Sequence, residues 1–219
     1  MPMSALTERS YRQRIVFLLL HLVSVGLATL WLLQDAPAQG AAPIRAGLLT
    51  ACLWLYFFRI CFTTLYLLRR AMPWKEVFGV SAWVFLIHAT FAVLGAANPA
   101  EADGWVWAGA LLYLVGSDLN TGSEWLRHRW KRREENKGRL YTGGLFRYSM
   151  HINYFGDLAL FAGMCLIAGQ WLTGWVPLAM AIMFIGVHIP SMDRYLEAKY
   201  GAEFRAYAAR TKKLIPFLY

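Results

Sequence analysis

Charge is scarce in this sequence. Only 16% of its 219 residues are Asp, Glu, Lys or Arg and 58% are hydrophobic, whereas a soluble domain carries about a quarter charged residues. That shortfall argues against an ordinary soluble domain. Cysteine is nearly absent: Cys52, Cys61 and Cys165 all fall in apolar runs and lack metal-ligand spacing, so neither disulfides nor a metal site is expected, only small buried apolar residues. No stretch reads as a soluble nucleic-acid-binding module, and the positive charge sits at the ends of apolar runs, which argues against a nucleic-acid partner.

What is present is apolar length. About 20 mainly apolar residues cross a bilayer as a helix, and the stretches 14–33, 46–68, 77–97, 104–125, 153–168 and 171–190 meet or approach that requirement. The fourth turns polar at its end and the fifth is short. The expected fold is all-α: a polytopic membrane helix bundle of about six transmembrane helices, forming a single integral membrane domain over residues 1–219. The first run is too long for a signal peptide, and Gln34-Asp35-Ala36-Pro37 is a poor cleavage site, so it reads as a retained helix.

Lys and Arg near helix ends mark the cytoplasmic side. They cluster in the N-terminal tail (Arg9, Arg12, Arg14), at Arg69, Arg70 and Lys75, in eight positions between residues 127 and 150, and in six after Pro190. The three alternate loops carry a single basic residue, Arg45, beside Asp35, Glu101 and Asp103. Six spans with both termini cytoplasmic follow, in a membrane that reads as a bacterial inner membrane. The N-terminal arginines read as anchors to anionic membrane lipid.

A charged or polar side chain inside a span needs a partner or a purpose. On the second span Cys52, Tyr56, Arg59, Thr63 and Tyr66 recur at helical spacing along one face. Arg59 lies roughly 13 Å from the cytoplasmic end at helical rise, and His21 and His88 fall at comparable depth. A shared polar pocket is one reading; satisfied core residues are the other. The fourth span ends in the polar string Gly116-Ser-Asp-Leu-Asn-Thr-Gly-Ser-Glu124, where Asp118, Asn120, Ser123 and Glu124 suit a buried cofactor with ribose and amide groups, or a wet vestibule. The fifth helix is expected to open at Gly143-Gly144, with Asn153 and Asp157 one turn apart on one face. The tail 195–207 reads as two short helices broken at Gly201, an aromatic cap over the cytoplasmic mouth.

These residues also carry a resemblance. Gly143-Gly-Leu-Phe-Arg-Tyr-Ser149, Asn153-Tyr-Phe-Gly-Asp157, Tyr195-Leu196 and Leu214-Ile-Pro-Phe217 resemble the C-terminal domain of the steroid 5-alpha-reductases. Bacterial relatives of unassigned function share the pattern, and the isoprenylcysteine carboxyl methyltransferases share it more distantly. The resemblance covers roughly 120–219 and is specific for the superfamily rather than for the reaction. It implies NADPH for the reductases and S-adenosylmethionine for the methyltransferases. The methyltransferases' Arg-His-Pro triplet is reduced here to His151 within Met150-His151-Ile152, while Asn120, Ser123 and Glu124 match the reductases' Asn, Ser and acid. Arg139, Asn153, Asp157 and Tyr195 match further cofactor positions, and Lys131 with Arg132 stand by for phosphate. The implied division is substrate-side helices over 1–100 and a cofactor-binding half over 104–219.

The reductases' Gln-Glu pair has no counterpart, since no Glu occurs in the first three spans. Tyr56, Arg59, Tyr66 and His88 are the expected replacements, on the strength of the polar stripe. The expected activity is NADPH-dependent reduction of an activated C=C bond in a lipophilic, steroid-like or isoprenoid, substrate. An S-adenosylmethionine-dependent membrane methyltransferase and a non-catalytic membrane subunit are the alternatives.

Overall fold

The structure, a computed structural model, describes residues 10–38 and 43–219, with side chains at all of these except 35–38. Arg9 and the side chain of Asp35, both used in the topology reading, lie outside the described residues. Within them the protein is helical, without a strand, and four helices are long and apolar enough to cross a membrane: Tyr11–Gln34, Pro43–Leu67, Trp74–Ala96 and Trp171–Tyr200. Ile152–Ala168 is a shorter apolar helix.

In chain order the helices are α1 (Tyr11–Ala38), α2 (Pro43–Phe62), α3 (Trp74–Ala96), α4 (Gly104–Ser117), α5 (Ser123–Lys131), α6 (Ile152–Ala168), α7 (Trp175–Met183), α8 (Ile189–Tyr200) and α9 (Ala202–Arg210). Three π turns widen these rods, at Thr63–Leu67, Asp118–Gly122 and Phe184–His188. A π turn takes up an extra residue and rotates everything beyond it. The polar string after Gly116 is the second of them, so α4 runs through it into α5.

The chain divides into two compact units. The first comprises residues 1–110 and 163–174, the second 111–162 and 175–219. In the first, α1 packs along α3 and against α2, burying Val25, Leu32, Leu49, Leu53, Ile87 and Phe91. The opposite face of α1 leaves Leu19, Val23, Leu27 and Leu30 exposed, as a lipid-facing surface requires.

Two buried arginines tie the ends of α2, and both depart from the sequence reading. Arg14, expected as a lipid anchor, is 3% exposed. It donates to the carbonyls of Thr64 (2.6 Å), Leu68 (3.0 Å) and Arg70 (3.1 Å). A helix end leaves carbonyls without intrahelical donors, and one guanidinium satisfies three where the π turn ends α2. At the other end Arg45, also 3% exposed, donates to Ala100 O (3.3 Å), Glu101 O (3.1 Å) and Ile167 O. Asn98 adds bonds to the carbonyls of Ala168 (2.8 Å) and Gly169 (3.3 Å). Gly169, at φ +63°, ends α6 where a Cβ would stand 2.7 Å from Arg45 Nη1.

In the second unit α4 and α6 meet backbone to backbone. A Cβ on Gly116 would lie 2.6 Å from Gly156 O, and one on Gly156 would lie 2.7 Å from Gly116 O and 3.0 Å from Asn120 Cα. Small residues permit such close helix approach in membranes. Gly156→Ala is therefore expected to destabilise the protein by about 1–3 kcal/mol through overpacking, read as a lower melting temperature in detergent.

The expected opening of the fifth helix at Gly143 is not what forms. Gly144 adopts φ +56°, with the Tyr141 hydroxyl 2.8 Å from where a Cβ would stand. The segment Gly144–Arg147 is a short 3-10 turn, and α6 begins only at Ile152. The tail does form two helices, α8 and α9, broken by Gly201 at φ +51°.

Candidate functional site

The second unit encloses a cavity of about 250 Å³ whose walls come from α5, the 3-10 segment, α8 and α9. Arg127 and Lys131 lie on one face of α5, four residues apart, and both line it with Tyr141, Tyr195, Tyr200 and Tyr207. Tyr207 is 3% exposed and donates to Phe146 O at 2.5 Å. Burial pushes the phenols of Tyr207 and Tyr141 upward from their usual range, so both remain protonated donors at neutral pH. Lys131 donates to Tyr200 Oη at 3.0 Å and to the Arg139 carbonyl, and its ammonium stands 4.9 Å from the Tyr200 ring centroid. Arg127 stands 5.4 Å over the Phe146 ring and pairs with Glu124, whose other oxygen, Oε1, is buried and has no hydrogen-bond partner among the described residues.

No carboxylate is among the lining residues. A partly desolvated cavity with two cations, several phenol donors and aromatic faces attracts an anion carrying flat rings.

Of the sequence-derived cofactor residues, Lys131 and Tyr195 line this cavity. Tyr195 is 55% exposed and accepts from Lys199 at 3.2 Å. Asn120 and Asn153 meet at the helix crossing, where Asn120 Nδ2 donates to Asn153 O at 3.0 Å. Ser123 is fully buried and donates to Asn120 O at 2.9 Å. Asp157 is half-buried on α6, and Arg139 is exposed. Sequence reasoning passed over Arg127, Tyr200 and Tyr207. Arg127 was legible, since Glu124, Arg127 and Lys131 recur at i, i+3 and i+7; the two tyrosines come from a tail whose path no local pattern dictates.

His151, the remnant of the triplet, is held by Asp193, with Nε2 and Oδ1 2.9 Å apart, and Lys213 approaches the same carboxylate at 3.4 Å. Its ring stacks on Tyr154 at 5.4 Å.

A second polar group lies in the first unit. His21 and His88 are each 1% exposed. His21 Nδ1 lies 2.7 Å from Phe17 O and 3.5 Å from Ser81 Oγ, and His88 Nδ1 lies 2.8 Å from Ser24 Oγ. The ring of Tyr56 meets that of His88 edge-on at 6.1 Å, and Arg59 stands 5.8 Å over the Tyr56 ring. Arg59, Tyr56 and His88 thus follow one another in space, and His21 is held by Phe17 and Ser81. Tyr66, further along, is 44% exposed and stacks on Phe62 at 5.2 Å, within the π turn that buries Thr64.

A larger cavity, about 490 Å³, also belongs to the first unit and is lined in part by Arg45, Asn98, Asp103 and Trp171. Its charged residues and Asn98 are already engaged: Arg45 and Asn98 on carbonyls, and Asp103 on the amides of Trp105 and Val106 at 3.0 and 3.1 Å. Gln170 is a further polar residue in its lining. Among the described residues no three His, Cys, Asp or Glu side chains gather as a metal ion would require.

Residues 9–211 match the family described as "Protein of unknown function (DUF1295)". Among characterised proteins, the chain is similar to "3-oxo-5-alpha-steroid 4-dehydrogenase 2" of Sus scrofa, with 27% identity over 161 residues, covering 70% of this chain and 61% of the relative. The enzyme of the same name from Rattus norvegicus matches to the same extent. A "Probable O-methyltransferase ustE" of Ustilaginoidea virens is 31% identical over 115 residues, covering 51% of this chain and 40% of the relative. The chain thus spans about 61% of the length of the steroid dehydrogenases it matches.

Proposed function

We propose, from the premise that the chain belongs to the DUF1295 family, that it is an NADPH-dependent membrane reductase of an activated C=C bond in a lipophilic, steroid-like or isoprenoid, substrate. The carrying observation is the cavity flanked by Arg127 and Lys131 with no carboxylate in its lining. NADPH is polyanionic and S-adenosylmethionine carries a sulfonium cation, so this lining favours the first. At about 250 Å³ the cavity takes one segment of a dinucleotide rather than the whole. The relatives named as 3-oxo-5-alpha-steroid 4-dehydrogenases support the same direction.

In this reading Arg127, Lys131 and Arg139 hold phosphate, and the phenols of Tyr195 and Tyr200 flank the rings. Asn120, Ser123, Glu124, Asn153 and Asp157 hold ribose and amide groups. NADPH, when bound, supplies the hydride. The substrate half rests on Tyr56, Arg59 and His88, which polarise a carbonyl oxygen and stabilise the charge that develops on it; Tyr66 is the weakest member, given its exposure. Residues 1–100 serve substrate and 104–219 cofactor within one membrane domain. The helix running from Gly104 to Lys131 and the short helix α6 complete six spans in a bacterial inner membrane. Both termini are cytoplasmic, and α8 and α9 form the cap. Alternation of the basic loops supports that orientation.

The test is nucleotide binding by the detergent-purified protein. A ligand that binds only the native state stabilises it by about 2.7 kcal/mol at one hundred times Kd. NADPH is expected to raise the melting temperature and S-adenosylmethionine to leave it unchanged, with the NADPH response weakened in Lys131→Met. The relative named as a probable O-methyltransferase favours the second reading, and stabilisation by S-adenosylmethionine alone would establish it. Absence of a response to either nucleotide would leave the non-catalytic subunit.

A further inference from the structure

The cavity of about 490 Å³ in the first unit lies where apolar helices end: at the start of α2, between α3 and α4, and between α6 and α7. Lipid headgroups stand at that level of a membrane, and tryptophan is enriched there. Trp105 and Trp171 line the cavity and are 68% and 85% exposed.

Charge of both signs reaches this cavity. Arg45 is 3% exposed, and its guanidinium has no salt-bridge partner among the described residues. Of its five N–H groups, three are used: that of Nε on Ala100 O, one of Nη1 on Ile167 O and one of Nη2 on Glu101 O. One N–H remains on each terminal nitrogen. Carbonyls give this cation dipoles, whereas a buried charge calls for a countercharge. Asp103, on the same cavity, acts on Arg45 through space and forms no salt bridge with it. Both amides that Asp103 caps, those of Trp105 and Val106, bond to Oδ1, which leaves Oδ2 to accept from a ligand. Gln170 adds a side-chain amide to the lining.

A ligand matched to this lining carries an anion for Arg45 and a cation for Asp103. A fatty carboxylate would satisfy the first and be repelled by the second; a simple amine would do the reverse. A phosphodiester accepts well from a guanidinium, and an ammonium donates to a carboxylate and packs on indole faces. Phosphoethanolamine joins the two by a short ethylene link, and a cavity of this size falls in the range of small-molecule sites. Charged pockets between transmembrane helices are known places for lipid headgroups. We propose that this cavity binds the zwitterionic headgroup of a phospholipid, with phosphate on Arg45 and Gln170 and ammonium on Asp103. Trp105 and Trp171 flank the headgroup, and the acyl chains lie outside among the bilayer lipids. Nothing in this assignment rests on the nucleotide or on the reaction.

The test is lipid binding by the full-length protein, purified in detergent, stripped of lipid and titrated by native mass spectrometry. Phosphatidylethanolamine, its N-acetyl derivative, phosphatidylglycerol and diacylglycerol, all with the same chains, are compared. Phosphatidylethanolamine is expected to bind about tenfold more tightly than the N-acetyl derivative or phosphatidylglycerol, the equivalent of one charge-assisted hydrogen bond. Diacylglycerol, which lacks the phosphate as well, is weaker still. Asp103→Asn keeps the cap on α4, since Asn caps as well as Asp, and deletes the charge. In that variant phosphatidylethanolamine falls to the affinity of phosphatidylglycerol, whose own binding is kept or improved. Should it fail to fold, Asp103→Ser makes the same comparison with another capping residue. Equal binding of phosphatidylethanolamine and diacylglycerol, as expected of chains that merely coat the helices, would overturn the site. A preference for phosphatidylethanolamine that survives loss of the Asp103 charge would overturn it too. Chain-free glycerophosphoethanolamine that binds as tightly as the lipid would remove the phospholipid as occupant.

Discussion

Replacing Arg59 with methionine is expected to lower turnover of an enone substrate by about 10²- to 10³-fold, the usual loss when one donor to a developing oxyanion is removed, while NADPH affinity is nearly unchanged. Arg59 stands over the Tyr56 ring at 5.8 Å, and Tyr56 in turn meets His88. A guanidinium keeps its charge when desolvated and offers five donors. The proposed task is to stabilise the enolate oxygen as hydride arrives at the β-carbon. Methionine preserves the length and apolar volume of the side chain and deletes the charge. Three measurements on one preparation decide the matter: melting temperature, NADPH binding and turnover. Wild-type turnover in a variant that melts normally and binds NADPH would remove Arg59 from the mechanism. A large fall in melting temperature would instead make Arg59 part of the frame.

The largest loss of stability is expected at the opposite end of the same helix. Arg45→Met leaves three carbonyls, those of Ala100 and Glu101 part-buried and that of Ile167 buried, without their shared donor. Hydrogen bonds to a charged group are worth about 1.5–3 kcal/mol each, and they are not additive. A net loss of about 3–5 kcal/mol follows, comparable to breaking a buried charge pair. That corresponds to a melting temperature lower by about 10 °C for a chain of this size. Arg45→Lys keeps the charge and gives up the planar fork that reaches three acceptors at once, so it should recover only part of the difference. Since Arg45 and Asn98 jointly satisfy the end of α6, Asn98→Ala is expected to act in the same direction and more weakly. A melting temperature unchanged in Arg45→Met would mean that other donors or water reach those carbonyls.

The apolar helices and their lengths were legible because a bilayer demands one pattern over a fixed distance. So was the nearness of His88 and Arg59, on either side of Tyr56, because counting residues along packed helices gives depth. What did not show was rotation. Nothing in Thr63-Thr-Leu-Tyr-Leu67 announces a wider turn, and a strict 3.6-residue count does not foresee that Thr64 is the residue buried there. Arg14 and Arg45 looked like surface charges because positive residues near helix ends usually are; burial under three carbonyls depends on where neighbouring helices end. Gly116 and Gly156 were visible as letters, but their role depends on α4 and α6 crossing at those two points. The cavity's cations were half legible. Lys131 stands out in sequence as a neighbour of Arg139 in a basic loop, whereas Arg127, one turn earlier on the same face, counts there only towards topology. The tyrosines of α8 and α9 join the cavity only once the tail has folded back.

That return of the tail has a consequence for biosynthesis. Met150 and His151 donate their backbone amides to the carbonyls of Lys212 and Lys213 at 2.8 and 3.0 Å, and Ser149 Oγ reaches Lys213 and Leu214 at 3.1 and 2.8 Å. The partners of Ser149 lie 64 and 65 positions further along the chain. At about 5–20 residues per second, the ribosome delivers them about 3 to 13 s after Ser149. During that interval the amides just ahead of α6 have only water or translocation machinery to bond, so the entry to this helix must wait in a wet place until α7 and α8 have been made. A nascent chain released before residue 212 would hold the apolar helices described above and still lack the bonds that tie the tail to the start of α6.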